Sequence, residues 1–250
     1  MSTRRTGSEG WAAALLVVAL AAVLAALPAV AAPGESCALK ASGTPPTVVE
    51  TYTSEKCSTC PPIEAWLSTL AGDKSVLPLA FHVDYFDDKH WKDRYASAAY
   101  TRRQKEVLAA SGATGIYTPQ VLVNGRDRTL PPIPAAVDAG VEVEMQADGR
   151  RLLARVSSQA SRPLELAGYW AASENGLSSY VGGGENAGLT LKHDFVVRDY
   201  RKLRPFKLPP GAPVQLAYEG ELDSVREVAL VLTDPSSGRP VQALRWKPRC

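Results

Sequence analysis

The chain carries almost no excess of positive or negative charge. Its 250 residues include 28 Lys and Arg against 26 Asp and Glu, a formal net charge of +2. Nucleic-acid-binding proteins need a basic face, and electrostatic membrane binding needs a polybasic patch. Hydrophobic residues make up 45% and charged residues 22%, which is typical of a globular protein and not of a disordered one. The composition therefore predicts a folded protein without a nucleic-acid partner.

Methionine and histidine are also scarce. Only Met1 and Met145 are present, which is too few for a methionine-rich copper relay. The three histidines, His82, His90 and His193, form no ligand pair at helical spacing. A structural zinc site usually takes four ligands from two closely spaced pairs, and the chain has one such pair of cysteines. The sequence therefore predicts no metal ion and no cofactor, with a metal at that cysteine pair left as the weaker alternative.

One apolar stretch, from Trp11 to Leu27, is long enough to span a bilayer. Two arginines precede it, and Pro28 and the small residues 29–31 follow it. This order of basic, apolar and small residues is the pattern of a secretory signal peptide at 1–31. It predicts export to the periplasm or the extracellular space, with a mature form that is not embedded in the membrane. An uncleaved N-terminal membrane anchor is the alternative.

Four cysteines remain after residue 31. In an exported protein an even number of cysteines favours disulfides. Cys37 lies near the expected mature N-terminus and Cys250 is the last residue, so a structural disulfide between them would close nearly the whole chain. The alternative is two unpaired ends. The other two cysteines, Cys57 and Cys60, stand three residues apart.

The first part of the mature chain alternates predicted strands and helices. Residues 47–54 and 76–84 are β-branched or apolar and predict strands. Pro61 and Pro62 open an amphipathic stretch that predicts a helix, because prolines suit a first helical turn. A second helix is predicted over 96–112 and a third strand near 116–127. Residues 32–138 therefore predict an α/β domain.

Alternating strands and turns fill the second part, 139–250. Residues 140–158 predict a hairpin with its turn at Asp148–Gly149. Further strands are predicted in "LELAGYWAAS", "LKHDFVVRDY", "PVQLAYEG", "REVALVLTD" and "PVQALRWK". The spacing of these strands and turns predicts a small antiparallel β-sandwich.

Cys57 and Cys60 have the spacing of a disulfide across the first turn of a helix. Unpaired N–H groups and the positive end of the helix dipole favour a thiolate at that position. Cys57, at or before the helix start and expected to be the more exposed, is the predicted attacking sulfur. Cys60 is the predicted resolving sulfur. An inert structural disulfide and a metal site are the alternatives.

Pro119 adds a further candidate to this site. It follows Thr118 at the entry to the third predicted strand. A cis Thr118–Pro119 bond would turn the backbone of Thr118 towards the sulfurs, where it could pair with an extended substrate strand. A trans proline at a strand edge is the alternative.

Five other residues are possible supporting groups. His82 and Asp84 share one face of a strand, where they could orient a substrate or form only a local hydrogen-bond network. Glu50 precedes the cysteines and could accept the proton of Cys60; the alternative is a carboxylate that faces solvent or bonds to a loop. Glu185 and Asn186 follow three glycines and could line a cleft with His193 and Arg198, or form only a long hairpin turn.

The order of elements and the Thr-Pro dipeptide resemble the thioredoxin-like superfamily. The segments "VVETYTSEKCSTCPP", "LAFHVDYFDDKHWKD", "RRQ", "YTPQVLVNGR" and "GENAGLTLKHDFVVR" resemble the secreted domain-of-unknown-function 1223 family over nearly the whole mature chain. The resemblance implies a catalytic pair at Cys57 and Cys60 and a cis-proline at Pro119. Ser58-Thr59 stands where thioredoxin has Gly-Pro.

The sequence thus predicts a thioredoxin-like α/β domain followed by a small antiparallel β-sandwich, α+β overall. The leading functional hypothesis is an exported thiol–disulfide oxidoreductase acting on protein thiols or disulfides. The alternative is a secreted binding or scaffold module whose cysteine pair is a permanent structural disulfide.

Overall fold

The computed structural model describes residues 38–111, 115–128, 138–220 and 226–247, together with Thr3 and Leu222. These residues form two helices, α1 (Cys60–Ser68) and α2 (Ala98–Ser111). Fourteen strands accompany them: β1 (Ala38–Ala41), β2 (Thr47–Thr53), β3 (Val76–His82), β4 (Gln120–Val123), β5 (Arg126–Asp127), β6 (Val141–Asp148), β7 (Arg151–Ser158), β8 (Leu164–Glu174), β9 (Leu177–Tyr180), β10 (Thr190–His193), β11 (Val196–Leu208), β12 (Val214–Glu219), β13 (Arg226–Thr233) and β14 (Pro240–Trp246).

An eight-stranded mixed sheet organises the molecule, in the order β14-β13-β8-β11-β3-β2-β4-β5. Strands β2 and β3 run parallel, with Thr47 opposite Val76. Strand β11 joins β3 in parallel at Val196 and Ala80, and continues as a long antiparallel partner of β8. Strands from both sides of residue 139 therefore share one sheet, and residues Ser36–Cys250 form one compact unit.

The two faces of the large sheet carry different layers. Helix α2 covers one face, where Tyr100 and Leu108 pack on Leu79 and Phe81. On the other face α1 packs through Leu67 on the central strands. The four-stranded sheet β1-β6-β7-β12 packs there on the antiparallel strands, around a core of Met145, Val156, Trp170, Leu230 and neighbouring apolar residues. Because side chains alternate along a strand, the strands of the large sheet other than β5 contribute side chains to both layers.

The fold class predicted from the sequence is wrong. The described chain is mostly β, with two helices against fourteen strands, and it is not an α/β thioredoxin-like domain followed by a small antiparallel β-sandwich. Local periodicity placed strands and helices but carried no information on pairing between distant strands. The insertion of β11 beside β3, with β8 and β13 beyond it, makes the large mixed sheet that overturns the prediction.

Several predictions lie outside the described residues. These are the signal peptide at 1–31, apart from Thr3, and the Cys37–Cys250 disulfide. Within the described part of the chain, neither helix has the length and apolar character needed to span a bilayer.

Candidate functional site

A disulfide joins Cys57 and Cys60 at the start of α1. Their Cα atoms are 5.4 Å apart, and Cys60 is the first residue of the helix. Pro61 and Pro62 occupy the first turn, where a missing N–H group costs no hydrogen bond. The backbone N–H of Cys60 donates to the carbonyl of Cys57 at 3.2 Å, which closes the turn between the two cysteines. The sequence motif thus forms the helix-start disulfide that its spacing indicates.

Both sulfur-bearing residues are buried. Cys57 is 4% exposed and Cys60 is 0% exposed, while Ser58 and Thr59 between them face solvent. Cys57 is therefore the more exposed of the two, as expected, but by only a small margin. A loop from the second half of the chain, the covering loop, contacts the residues next to the disulfide.

That covering loop consists of residues 181–189, between β9 and β10. Asn186 is buried, and its side-chain amide donates to the carbonyls of Glu55 (3.0 Å) and Cys57 (2.8 Å). The carboxylate of Glu185 accepts from the backbone N–H of Ser58 (2.9 Å) and from its hydroxyl (2.7 Å). Hydrogen bonds from that N–H and hydroxyl lower the pKa of Glu185. Both residues singled out in the sequence thus contact the cysteine loop, which is residues 54–59 between β2 and α1, and not a cleft lined by His193 and Arg198.

Glycine is required where this loop approaches the cysteines. Gly184 has a φ of +85°, which disfavours other residues, and an added Cβ would lie 2.8 Å from the Cγ of Lys56. Gly182 lies against the ring of Trp91, where a Cβ would be only 2.6 Å away. The run of glycines therefore permits close contact between the covering loop and its neighbours.

A second loop, residues 84–95, braces the same region. Trp91 donates through its indole N–H to the carboxylate of Glu55 at 3.1 Å. Lys56 pairs with Asp88 at 2.5 Å. Asp84, by contrast, accepts from the hydroxyl of Thr101 in α2 at 2.5 Å, so it fixes this loop to the helix and takes no part in the disulfide's surroundings.

Thr118 and Pro119 lie at the end of the large sheet from which the cysteine loop leaves β2. Their peptide bond is cis. Pro119 immediately precedes Gln120, which pairs with Tyr52 near the end of β2, the strand that leads into the cysteine loop. Proline 119 is thus placed at the edge of the region that holds the disulfide.

Glu50 does not underlie the cysteines. It lies on the face of the sheet that α2 covers, where it pairs with the guanidinium of Arg103 and accepts from the hydroxyls of Tyr52 (2.9 Å) and Tyr169 (2.5 Å). Helix α1 covers the opposite face. Glu50 is therefore part of a buried ion pair in the core, away from Cys60.

A buried cluster of two histidines and two carboxylates lies next to α1. His82 contacts Asp93 through Nδ1 at 2.7 Å, and His193 contacts Glu64 through Nδ1 at 2.5 Å. The two imidazole rings meet edge to face, 5.1 Å apart, and the ring of Tyr95 packs on both. Since Glu64 follows Cys60 by four residues on α1, this cluster lies one helical turn from the disulfide.

Charge compensation sets the protonation of this cluster. Burial alone would lower the pKa of His82, but the charges of Asp93 and Glu64 outweigh burial and raise it. Burial would likewise raise the pKa values of Glu64 and Asp93, but their contacts with the histidines lower both. The two carboxylates are therefore held in their charged forms.

Sequence reasoning considered His82 and His193 separately and missed Glu64. The available signal was the four-residue spacing from Cys60 to Glu64, which places both on one side of a helix. Nothing local connects His193 to His82, because they are 111 residues apart in the chain and meet only through the tertiary fold.

Known proteins resemble this chain in sequence and in fold. The family described as "Protein of unknown function (DUF1223)" matches residues 48–233. Among solved structures, protein AGR_C_4864 from Agrobacterium tumefaciens aligns with a TM-score of 0.63 and 22% identity, over 83% of this chain and 96% of that one. HBP35 of Porphyromonas gingivalis aligns with a TM-score of 0.57 and 15% identity, over 82% and 76%. These two likenesses concern the fold alone. No curated protein matches. The family match spans well over half of the sequence, and the chain belongs to the DUF1223 family.

Proposed function

We propose that this protein is an exported thiol–disulfide oxidoreductase that uses the Cys57–Cys60 couple. The observation that carries the proposal is the intramolecular disulfide at the first turn of α1. A helix start favours a thiolate, because unpaired N–H groups and the helix dipole stabilise negative charge there. This position therefore favours the thiolate that thiol–disulfide exchange requires.

The exchange reaction has two steps. A thiolate of a partner protein attacks Cys57 Sγ, which forms a mixed disulfide and releases Cys60 as a thiolate. A second thiolate of the same partner then attacks the partner sulfur that is bonded to Cys57, which forms the partner's disulfide and releases Cys57 as a thiolate. The partner loses two electrons and becomes a disulfide, and Cys57 and Cys60 gain those electrons and take up protons. The reverse sequence reduces a partner disulfide.

Access to Cys57 requires movement of the covering loop. Two side chains, Glu185 and Asn186, join this loop to the cysteine loop through hydrogen bonds, and the glycines of the loop lie against Trp91 and Lys56. Water can replace the hydrogen bonds when the loop lifts, and the glycines have no side chains whose burial would be lost. The pair is therefore closed to solvent at rest and open to a partner that displaces the loop.

Export is the second part of the proposal. The basic, apolar and small-residue pattern of residues 1–31 is that of a secretory signal peptide. Disulfides persist in the periplasm and outside the cell, where proteins with thiols or disulfides are available as partners.

A Cys60→Ser variant tests the exchange reaction. Without its resolving sulfur, Cys57 is expected to retain partners as mixed disulfides, which run as high-mass bands on non-reducing gels and vanish with dithiothreitol. The control is Cys57→Ser/Cys60→Ser, which is expected to trap none. Equal bands from both variants, or none from Cys60→Ser in exported fractions, would contradict the proposal.

A second candidate function is a secreted binding or scaffold module with a permanent structural disulfide. The burial of both Cys57 and Cys60 favours it. The reduction potential separates the two candidates: a structural disulfide is expected below about −300 mV, and an exchanging one above it. Equilibration of the full chain with glutathione or dithiothreitol buffers measures this potential.

A further inference from the structure

The histidine–carboxylate cluster beside α1 takes no part in the exchange reaction described above. Three of its residues offer one ligand atom each within 4.8 Å of one another: Glu64, His82 and His193. They come from three elements, since Glu64 lies in α1, His82 ends β3 and His193 ends β10. Side chains from regular elements are held more precisely than side chains from loops, which suits a coordination site.

One nitrogen of the cluster has no partner. His82 is 0% exposed, and its Nδ1 contacts Asp93, while its Nε2 makes no hydrogen bond to any residue in the described part of the chain. Since Nδ1 faces Asp93, Nε2 is the nitrogen that remains for the cluster. An unpaired buried nitrogen is unfavourable, because it has lost its contact with water and gained no partner in return. A hydrogen-bond network alone therefore leaves His82 unsatisfied, whereas a cation bound to Nε2 would complete it.

Each of the three candidate ligands also makes a hydrogen bond to a second polar group through an atom that is not the candidate ligand atom. Asp93 holds Nδ1 of His82 at 2.7 Å, Ser179 holds Nε2 of His193 at 3.0 Å, and Thr53 holds Oε1 of Glu64 at 2.5 Å. Metal-ligating histidines almost always have such a partner on the nitrogen that faces away from the metal. The candidate ligand atoms are thus Nε2 of His82, which has no partner among the described residues, and Nδ1 of His193 and Oε2 of Glu64, which contact each other.

We propose that Glu64, His82 and His193 form a binding site for a divalent transition-metal ion of the zinc class. Imidazole nitrogens with one carboxylate suit zinc and neighbouring first-row ions, and not magnesium or calcium. Three protein ligands leave a fourth position for water or another ligand. A metal at His193 Nδ1 would displace the hydrogen that lies between this nitrogen and Glu64 at 2.5 Å, and the ring would then carry its hydrogen on Nε2, where the hydroxyl of Ser179 can accept it.

The required movement is small. Tetrahedral zinc with bonds of about 2.0–2.2 Å sets its ligand atoms roughly 3.4 Å apart. The two most distant ligand atoms must therefore approach each other by no more than about 1.4 Å. The distance between Glu64 Oε2 and His193 Nδ1 must increase by about 1 Å. The sequence predicted no metal site because these residues have no local ligand spacing, and the fold supplies their proximity.

Zinc titration of the full chain, stripped with EDTA and kept with its thiols oxidised or alkylated, tests the site. We expect one Zn²⁺ per chain, measured against a chromophoric chelator. Glu64→Gln and His193→Gln are expected to weaken binding about 100-fold or more, and Asp93→Asn about 10–100-fold. His90→Gln is the matched control, because His90 is the exposed histidine of loop 84–95, and it should bind as the wild type does.

Histidine ring signals in NMR spectra of the wild-type chain provide a measurement that needs no variant to fold. Zn²⁺ is expected to shift the signals of two buried histidines and leave those of His90 in place. The proposal is overturned if the folded chain binds no stoichiometric Zn²⁺, if His90 responds and the buried pair does not, or if folded Glu64→Gln and His193→Gln variants bind as tightly as His90→Gln. Because the cysteines are oxidised or alkylated throughout and cannot bind the metal, the result is independent of the thiol-exchange proposal.

Discussion

At the scale of single residues, Thr59 is placed to influence the proposed thiol chemistry of Cys57. Its hydroxyl lies 3.5 Å from Cys57 Sγ. Thr59 is the N-cap residue of α1, but its side chain makes no capping hydrogen bond to the helix, so the hydroxyl is available to the sulfur. After reduction the same hydroxyl can donate to the thiolate of Cys57 and stabilise its charge.

We therefore expect Thr59→Ala to raise the pKa of the Cys57 thiol in the reduced protein. A hydrogen bond to a charged group contributes about 1.5–3 kcal/mol, which corresponds to roughly 1–2 pKa units. Thiolate absorbance near 240 nm or alkylation rates against pH measure the change. Thr59→Ser keeps the hydroxyl and serves as the control. A pKa that Thr59→Ala leaves unchanged would show that Thr59 has no such role.

Residue identity predicted the disulfide pair well and its burial poorly. The spacing of Cys57 and Cys60 ahead of two prolines predicts the helix start, because the signals for a helix start lie in the local sequence. Their covering depends on Glu185 and Asn186, which lie nearly 130 residues further along the chain. The glycine-rich sequence around Glu185 and Asn186 marked both as candidates. The local sequence could not predict that they contact the cysteine loop.

At the scale of elements, the covering loop controls how easily the disulfide is reached. The side-chain amide of Asn186 donates hydrogen bonds to two buried backbone carbonyls, those of Glu55 and Cys57. Loss of its amide leaves both acceptors without that donor in the closed state, whereas water satisfies them in the open state. The closed state should therefore lose about 1–3 kcal/mol relative to the open one.

Asn186→Ala is thus expected to speed reduction of the Cys57–Cys60 disulfide by dithiothreitol, by about tenfold or more. Stopped-flow reduction followed by thiol release measures the rate. Glu185→Gln is a useful control, because its amide oxygen still accepts from Ser58 and should keep the loop closed. If Asn186→Ala is reduced at the wild-type rate in a folded protein, the loop does not limit access.

Individual elements were more predictable than their boundaries in the second half. Strand β2, helix α1, strand β3 and helix α2 lie where periodicity and proline placement put them. The predicted strand "LKHDFVVRDY", however, divides into β10 and β11 around Phe195, which has a φ of +57°. Alternation does not reveal such a break, and it matters here because it ends β10 at His193, within the buried cluster.

At the scale of the whole molecule, pairing between distant strands decided the fold. The short parallel contact of Val196 with Ala80 brings β11 beside β3, and β8 and β13 follow through antiparallel pairs. Hydrophobic alternation along each strand fixes which face is buried but not which strand lies beside it. This is why the elements of the first half were recognised while the fold class was wrong.

The buried ion pair of Arg103 and Glu50 tests whether the shared sheet behaves as one cooperative unit. It joins α2 to β2, and the guanidinium also lies 3.8 Å over the ring of Tyr169 in β8. The pair thus connects strands from both sides of residue 139. Removal of one partner of a buried pair leaves an uncompensated charge, which costs about 3–5 kcal/mol.

We therefore expect Arg103→Ala to lower the free energy of unfolding by about 3–5 kcal/mol, and Arg103→Met/Glu50→Gln to recover part of that loss because no buried charge is left alone. Urea unfolding should be followed by circular dichroism and by tryptophan fluorescence, which reports on Trp66 in α1 and Trp91 in loop 84–95 as well as on Trp170 and Trp246 beneath the four-stranded sheet. In a cooperative unit both signals shift together to lower urea in Arg103→Ala, since every strand of the large sheet depends on its neighbours. Two separate transitions, with only one moved by Arg103→Ala, would mean that the strands on either side of residue 139 unfold independently despite their shared sheet.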